Sequence, residues 1–118
     1  MYFPVDTPRP LTVVALCAAW CHTCEEFLPA FRRIAHDHPG SRFVWLDIED
    51  DAAIVGDIEV EDFPTLAIYD GASLVHYGAS LPHEALVRRL VAAFAEPGHR
   101  AIDEPGAAVS LPLRLGPG

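Results

Sequence analysis

A run of apolar strand formers, Leu11 to Leu16, leads within five positions into a Cys21-x-x-Cys24 pair that opens a helical pattern. The run fits a central strand covered on both faces. After the cysteines, Phe27, Leu28, Phe31, Ile34 and Ala35 recur at helical spacing, and the helix is expected to end near Asp37 and His38, before Pro39 and Gly40. Pro29 lies inside it and is expected to kink it, because its ring removes a backbone donor. Cys21 therefore falls at a helix N-terminus, where unpaired backbone N–H groups and the macrodipole favour a thiolate. Two thiols at this spacing can close a small disulfide ring. A structural disulfide and a metal cluster bridged between two chains are the alternatives. Two cysteines are too few for a closed tetrahedral zinc site, so no metal or other cofactor is expected.

The remaining pattern alternates between strand and helix. Arg42 to Ile48 reads as a second strand, parallel to the first because a helix lies between them. Asp51 is placed to cap a short helix over Ala52 to Val55. Two strands, Thr65 to Tyr69 and Ser73 to Tyr77, flank a hairpin turn at Asp70, Gly71 and Ala72. Ser80 reads as an N-cap with Pro82 in the first turn. The last helix carries the stripe Leu86, Val87, Leu90, Val91 and Phe94. Three regions follow: an N-terminal extension over 1–10, a folded domain over 11–95, and a Pro/Gly-rich tail over 96–118. The tail is expected to be mostly disordered, with Ala107 to Leu115 apolar enough to dock as an extended segment.

Charge narrows the partners. The net charge is -9, and all eight basic residues are arginine. Eight acids fall between Asp47 and Asp62, with nothing resembling a basic stripe, which argues against nucleic acid. No apolar run approaches the ~20 residues of a membrane span, so no membrane partner is expected. Met1 to Pro10 shows no secretory pattern, which makes the cytoplasm the default compartment and leaves the periplasm open if a leader was removed. In the cytoplasm, paired cysteines are more often catalytic or metal-binding than structural.

Ala18 to Cys24 resembles the W-C-x-x-C active-site segment of the thioredoxin family. Pro29 stands where that family carries its helix-kinking proline. Phe63, Pro64 and Thr65 resemble its cis-proline loop, and Gly78 and Ala79 its substrate-facing loop. The resemblance covers roughly residues 11–95. It implies an α/β three-layer fold with a mixed sheet of about four strands flanked by helices, and the family's first strand and helix shortened or absent. There are three departures. Ala15 stands where the family buries an acid, Trp45 where it carries the partner lysine, and Cys17 where it carries a second tryptophan.

By this resemblance the protein is a thiol–disulfide oxidoreductase acting on protein disulfides. Cys21 is the nucleophile, Cys24 resolves the mixed disulfide, and the two form the redox-active disulfide. The implied partners are protein disulfide substrates and an electron donor or acceptor such as a thioredoxin reductase or glutathione. Trp20, Phe63, Pro64, Gly78 and Ala79 would form the apolar lip that receives an extended peptide. His22, Thr23 and Glu25 would tune the pair: an imidazolium beside Cys21 stabilises its thiolate, while Glu25 and Glu26 oppose that. Cys17 reads as a small buried hydrophobe, with a third redox thiol as its alternative. His36, His38, His76, His83 and His99 show no ligand spacing and read as surface residues. A non-catalytic module of the same fold, presenting its acidic segment to a basic protein, is the alternative function.

Overall fold

A computed structural model describes residues 10–116; the expectation of an extension over 1–10 therefore falls almost wholly outside the described residues. The elements are β1 (Leu11–Cys17), α1 (His22–Asp37), β2 (Arg42–Asp47), α2 (Ala52–Val55), β3 (Thr65–Asp70), β4 (Ser73–Ala79), α3 (Glu84–Ala95), α4 (Gly106–Val109) and α5 (Leu111–Leu115). The four strands form one sheet in the order β2-β1-β3-β4. β1 pairs parallel with β2, placing Ala15 opposite Trp45 and Cys17 opposite Asp47. It pairs antiparallel with β3, Leu16 opposite Thr65, and β3 pairs antiparallel with β4, Leu66 opposite Gly78. The expected mixed four-stranded sheet is present.

β1 is flanked by strands on both sides and every residue except Thr12 is buried. That burial is why its sequence is continuously apolar rather than alternating. Its two faces still serve different cores. Leu11, Val13 and Ala15 pack with Phe27, Phe31 and Ile34 of α1 and Val87 and Val91 of α3. Val14 and Leu16 pack with Val55, Tyr69, Leu74, Ala108 and Leu111 on the opposite face. The molecule is three-layered: α1 and α3, the sheet, then α2, α4 and α5. Trp45 fills the first core against Phe31, ring centroids 5.4 Å apart, and Phe27, 6.2 Å apart.

Four expectations change. The last large helix begins at Glu84 with His83 at the N-cap, not at Ser80. Ser80 lies four residues before the first helical residue, too far back to cap it; its N–H donates to the Pro64 carbonyl and its hydroxyl to the Leu81 carbonyl. Asp51 does precede α2, but its carboxylate accepts the Asp47 N–H at 2.9 Å and makes no capping bond. Within the region expected as a mostly disordered tail, residues 106–115 fold back over the sheet. Residues 106–115 are helical rather than extended, with Ala108 and Leu111 fully buried. Among the histidines, His76 is half-buried against Phe94, ring centroids 5.3 Å apart, instead of lying on the surface. No helix among the described residues is long and apolar enough to cross a membrane.

Candidate active site

Cys21 occupies the N-cap of α1 with extended backbone, φ -88° and ψ 114°, and its side chain makes no capping bond. A tight turn holds it there. Its N–H donates to the Ala18 carbonyl at 2.9 Å, and its carbonyl accepts the Glu25 N–H at 3.2 Å. Its thiol is partly exposed, whereas Cys24, one turn into the helix, is buried; both are free thiols, as is Cys17. The difference follows from the helix: Cys24 shares the inward face with Phe27 and Phe31.

Burial pushes the Cys24 thiol above its ordinary value, and the nearby Cys17 thiol and Ala18 N–H pull against that rise. Burial pushes the Cys17 thiol far above its ordinary range, and the neighbouring Cys24 adds to the rise.

The other residues singled out by sequence converge on this end of the sheet. Trp20 is 67% exposed and meets Phe63 edge-on, ring centroids 5.4 Å apart. The Phe63–Pro64 peptide is cis. Thr65 Oγ1 donates to the Asp62 carbonyl at 2.6 Å and closes that loop. Ala79 lies opposite Thr65, and the Ser80 N–H donates to the Pro64 carbonyl at 2.9 Å, so Gly78 and Ala79 border the proline. His22 is brought to the acids rather than to sulfur. Its Nε2 lies 2.8 Å from Glu26 and its Nδ1 3.7 Å from Glu25, all three side chains largely exposed. Thr23 follows it in the first turn of α1.

Two site-supporting acids escaped the sequence reading, which took 47–62 only as an acidic segment. Asp47 Oδ1 accepts the Glu49 and Asp50 N–H groups at 2.8 and 2.9 Å. The bonds from Asp50 and Glu49 hold its carboxyl below the usual range, with a smaller pull from the Ala19 N–H. Glu49 accepts the Trp20 indole N–H at 3.0 Å. The available signal was the aspartate at a strand end, a residue type that bonds backbone N–H groups two and three positions on. Among the described residues no group of three or more His, Cys, Asp or Glu side chains is arranged to hold a metal ion.

The thioredoxin family model matches residues 4–92. A curated relative, an Arabidopsis thaliana protein provisionally assigned as thioredoxin H10, is 34% identical over 65 residues, 54% of this chain. The match spans only 42% of that relative's length. Among solved structures, thioredoxin from Trypanosoma brucei brucei superposes with a TM-score of 0.63 at 22% identity, covering 74% of this chain and 76% of the other. Germline-specific Deadhead from Drosophila melanogaster gives 0.63 at 17% identity, covering 72% and 81%. Thioredoxin from Plasmodium falciparum gives 0.64 at 17%, covering 76% and 86%. These structural likenesses show the fold, and the family match over most of the domain shows the kinship: the chain belongs to the thioredoxin family, a family of thiol–disulfide oxidoreductases.

Proposed function

We propose that the protein exchanges disulfides with protein substrates through the Cys21–Cys24 dithiol. The observation that carries this reading is the asymmetry of the pair: Cys21 partly exposed at the N-cap of α1, Cys24 buried one turn in. The Cys21 thiolate attacks one sulfur of a substrate disulfide, and the other leaves as a thiolate that takes a proton. The Cys24 thiolate then attacks Cys21 and breaks the mixed disulfide. The substrate gains two electrons and the dithiol becomes a disulfide. Trp20 and Phe63, in contact edge-on, would form with Pro64, Gly78 and Ala79 the apolar lip that receives an extended peptide. A thioredoxin reductase or the glutathione pool would return the electrons, in a reducing compartment such as the cytoplasm.

The test is reduction of insulin by dithiothreitol, with and without the protein. Wild type is expected to accelerate it, and Cys21→Ser to fall to the uncatalysed rate. Equal, negligible rates for both would end the enzymatic reading.

One observation favours a second reading, a non-catalytic module for a basic protein. A hollow of about 170 Å³ beside the proline loop is lined by Glu59, Glu61, Asp62, Thr65, Tyr77 and Ala79. Binding that survives Cys21→Ser and is lost on charge reversal at the three acids supports this second reading.

A further inference from the structure

We propose that the groove between β4 and α3 docks an extended segment of the disulfide substrate, one that carries apolar side chains beside a carboxylate, with the carboxylate set against Arg89. This rests on the disulfide-exchange reading of Cys21 and Cys24 and names the substrate chemistry that reading leaves open.

The groove follows from where two elements meet. β4 ends the strand order, so among the described residues α3 packs beside a strand with no further strand on its outer side. Val87 and Val91 of α3 turn into the core, while Leu86, Arg89 and Leu90 share an adjoining side of the helix. Along β4, His76 meets Phe94 of α3 and Tyr77 packs in the opposite core. The hollow left between strand and helix is about 470 Å³, and its lining includes His76, Ala79, Leu81, Leu86, Arg89 and Leu90. That is within the size of ligand sites, about 300–1,000 Å³. Leu81 is 61% exposed and Leu86 42%. A lone exposed leucine is ordinary, whereas leucines gathered on one hollow make an apolar patch that a partner covers.

Arg89 gives the patch its sign. Arg33 and Arg88 are bound to Glu84 and Asp37, and Arg42 and Arg114 to backbone carbonyls. Arg89 is exposed and has no hydrogen bond or ion pair among the described residues, and no acid lines the groove. In a chain of net charge -9 this is a locally positive place, and it attracts a carboxylate. The hollow beside the proline loop carries Glu59, Glu61 and Asp62 and repels one.

The groove is continuous with the proline loop. Ala79 borders both hollows, and Ser80, which also lines the groove, donates its N–H to the Pro64 carbonyl at 2.9 Å. A segment lying across that loop runs on into the groove, its apolar side chains on Leu81 and Leu86 and its acid at Arg89. Covering the leucines anchors the segment, and the exposed ion pair adds a modest preference. The groove therefore selects among substrates and leaves the sulfur chemistry to the dithiol.

The test reads docking apart from disulfide exchange. The reduced, nitrogen-15-labelled chain is titrated with a cysteine-free peptide holding two leucines beside an aspartate. One counterpart holds lysine for aspartate, another serine for both leucines. The aspartate peptide is expected to shift the amides of Ala79, Leu86 and Leu90 and to bind about fivefold tighter than the lysine peptide, the scale of an exposed ion pair. The serine peptide is expected not to saturate. Arg89→Glu, a surface change, is expected to reverse the order of the first two. No shift at these amides, or an unchanged order in Arg89→Glu, overturns the docking site. Shifts that follow protein concentration alone assign the groove to a second copy and overturn it too. The same flanks, placed on either side of a disulfide-bonded cysteine, test the substrate role. Wild-type kcat/KM is expected to be about fivefold higher with aspartate than with lysine, and the preference to reverse in Arg89→Glu; equal values overturn that role. Docking without Cys21-dependent reduction of insulin overturns the exchange reading and the substrate role with it, so the two failures are told apart.

Discussion

His76 carries a pH dependence that its place on β4 dictates. It is half-buried against Phe94, and burial lowers its pKa because the imidazolium loses water. The folded chain therefore releases the proton more readily than the unfolded chain. Below the ordinary histidine value the unfolded state binds more protons, so stability falls as pH drops through that window. The wild type is expected to lose more melting temperature between pH 7 and pH 5 than His76→Gln, by differential scanning calorimetry. Parallel losses in the two proteins would mean that His76 does not couple to folding. The spacing of the sequence could not expose this, since a lone histidine in a strand says nothing about what helix covers it. Cys21 and Cys24 were legible for the opposite reason. Their chemistry is local, set by three positions of separation and a strand-to-helix boundary. The closeness of Cys17 to Cys24 needs the pleat of β1 and the facing of α1 together, and no short motif encodes that pair.

At the scale of elements, one carboxylate joins two helices that sequence periodicity treats separately. Glu84, in the first turn of α3, accepts Arg33 Nε and Nη2 of α1 at 2.8 and 2.6 Å. Its other oxygen accepts Arg88 Nε and Nη2 at 3.0 and 2.8 Å, and Arg88 also reaches Asp37 at 2.8 Å. Bonds from Arg33 and then Arg88 hold the Glu84 carboxyl below its ordinary range. A depressed carboxylate stabilises the fold above its unfolded value, and the stabilisation is lost as pH falls through its folded value. Glu84→Gln is expected to melt below wild type at pH 7, with the gap closing below about pH 4 as the carboxylates protonate. A constant gap across that range would assign the loss to packing. The apolar stripes of α1 and α3 foretold which faces meet, because burial imposes the helical period. The start of α3 was misread because Ser80 matches a capping residue by type, while the helix begins four residues later at Glu84 and Ser80 is tied into the proline loop through its N–H to Pro64.

Across the whole molecule, the C-terminal segment completes the second core. Tyr69 donates to the Ala108 carbonyl at 2.7 Å, and Arg42 to the Gly116 carbonyl at 2.8 Å. Arg114 donates to the carbonyls of Ile54, Val55 and Ala107, tying α5 to the end of α2. Gly56 makes room for it: a Cβ there would meet Arg114 Nε at 3.1 Å, on a backbone whose φ is +62°. None of this shows as periodicity, since α4 and α5 span four and five residues. They are held by tertiary contact, and the prolines and glycines that read as disorder here only keep the helices short. Leu111 decides the matter, being fully buried among Val14, Leu16 and Tyr69 in the core opposite α1. Leu111→Ala removes its packing and leaves a cavity, a loss of about 2–5 kcal/mol for a closed site. Urea unfolding is expected to show that loss. Catalysed reduction of insulin is expected to keep the wild-type rate in water, because Cys21 stands at the N-cap of α1, on the far side of the sheet. A segment without fixed contacts would tolerate the change, so an unaltered unfolding midpoint would return residues 106–115 to a tail.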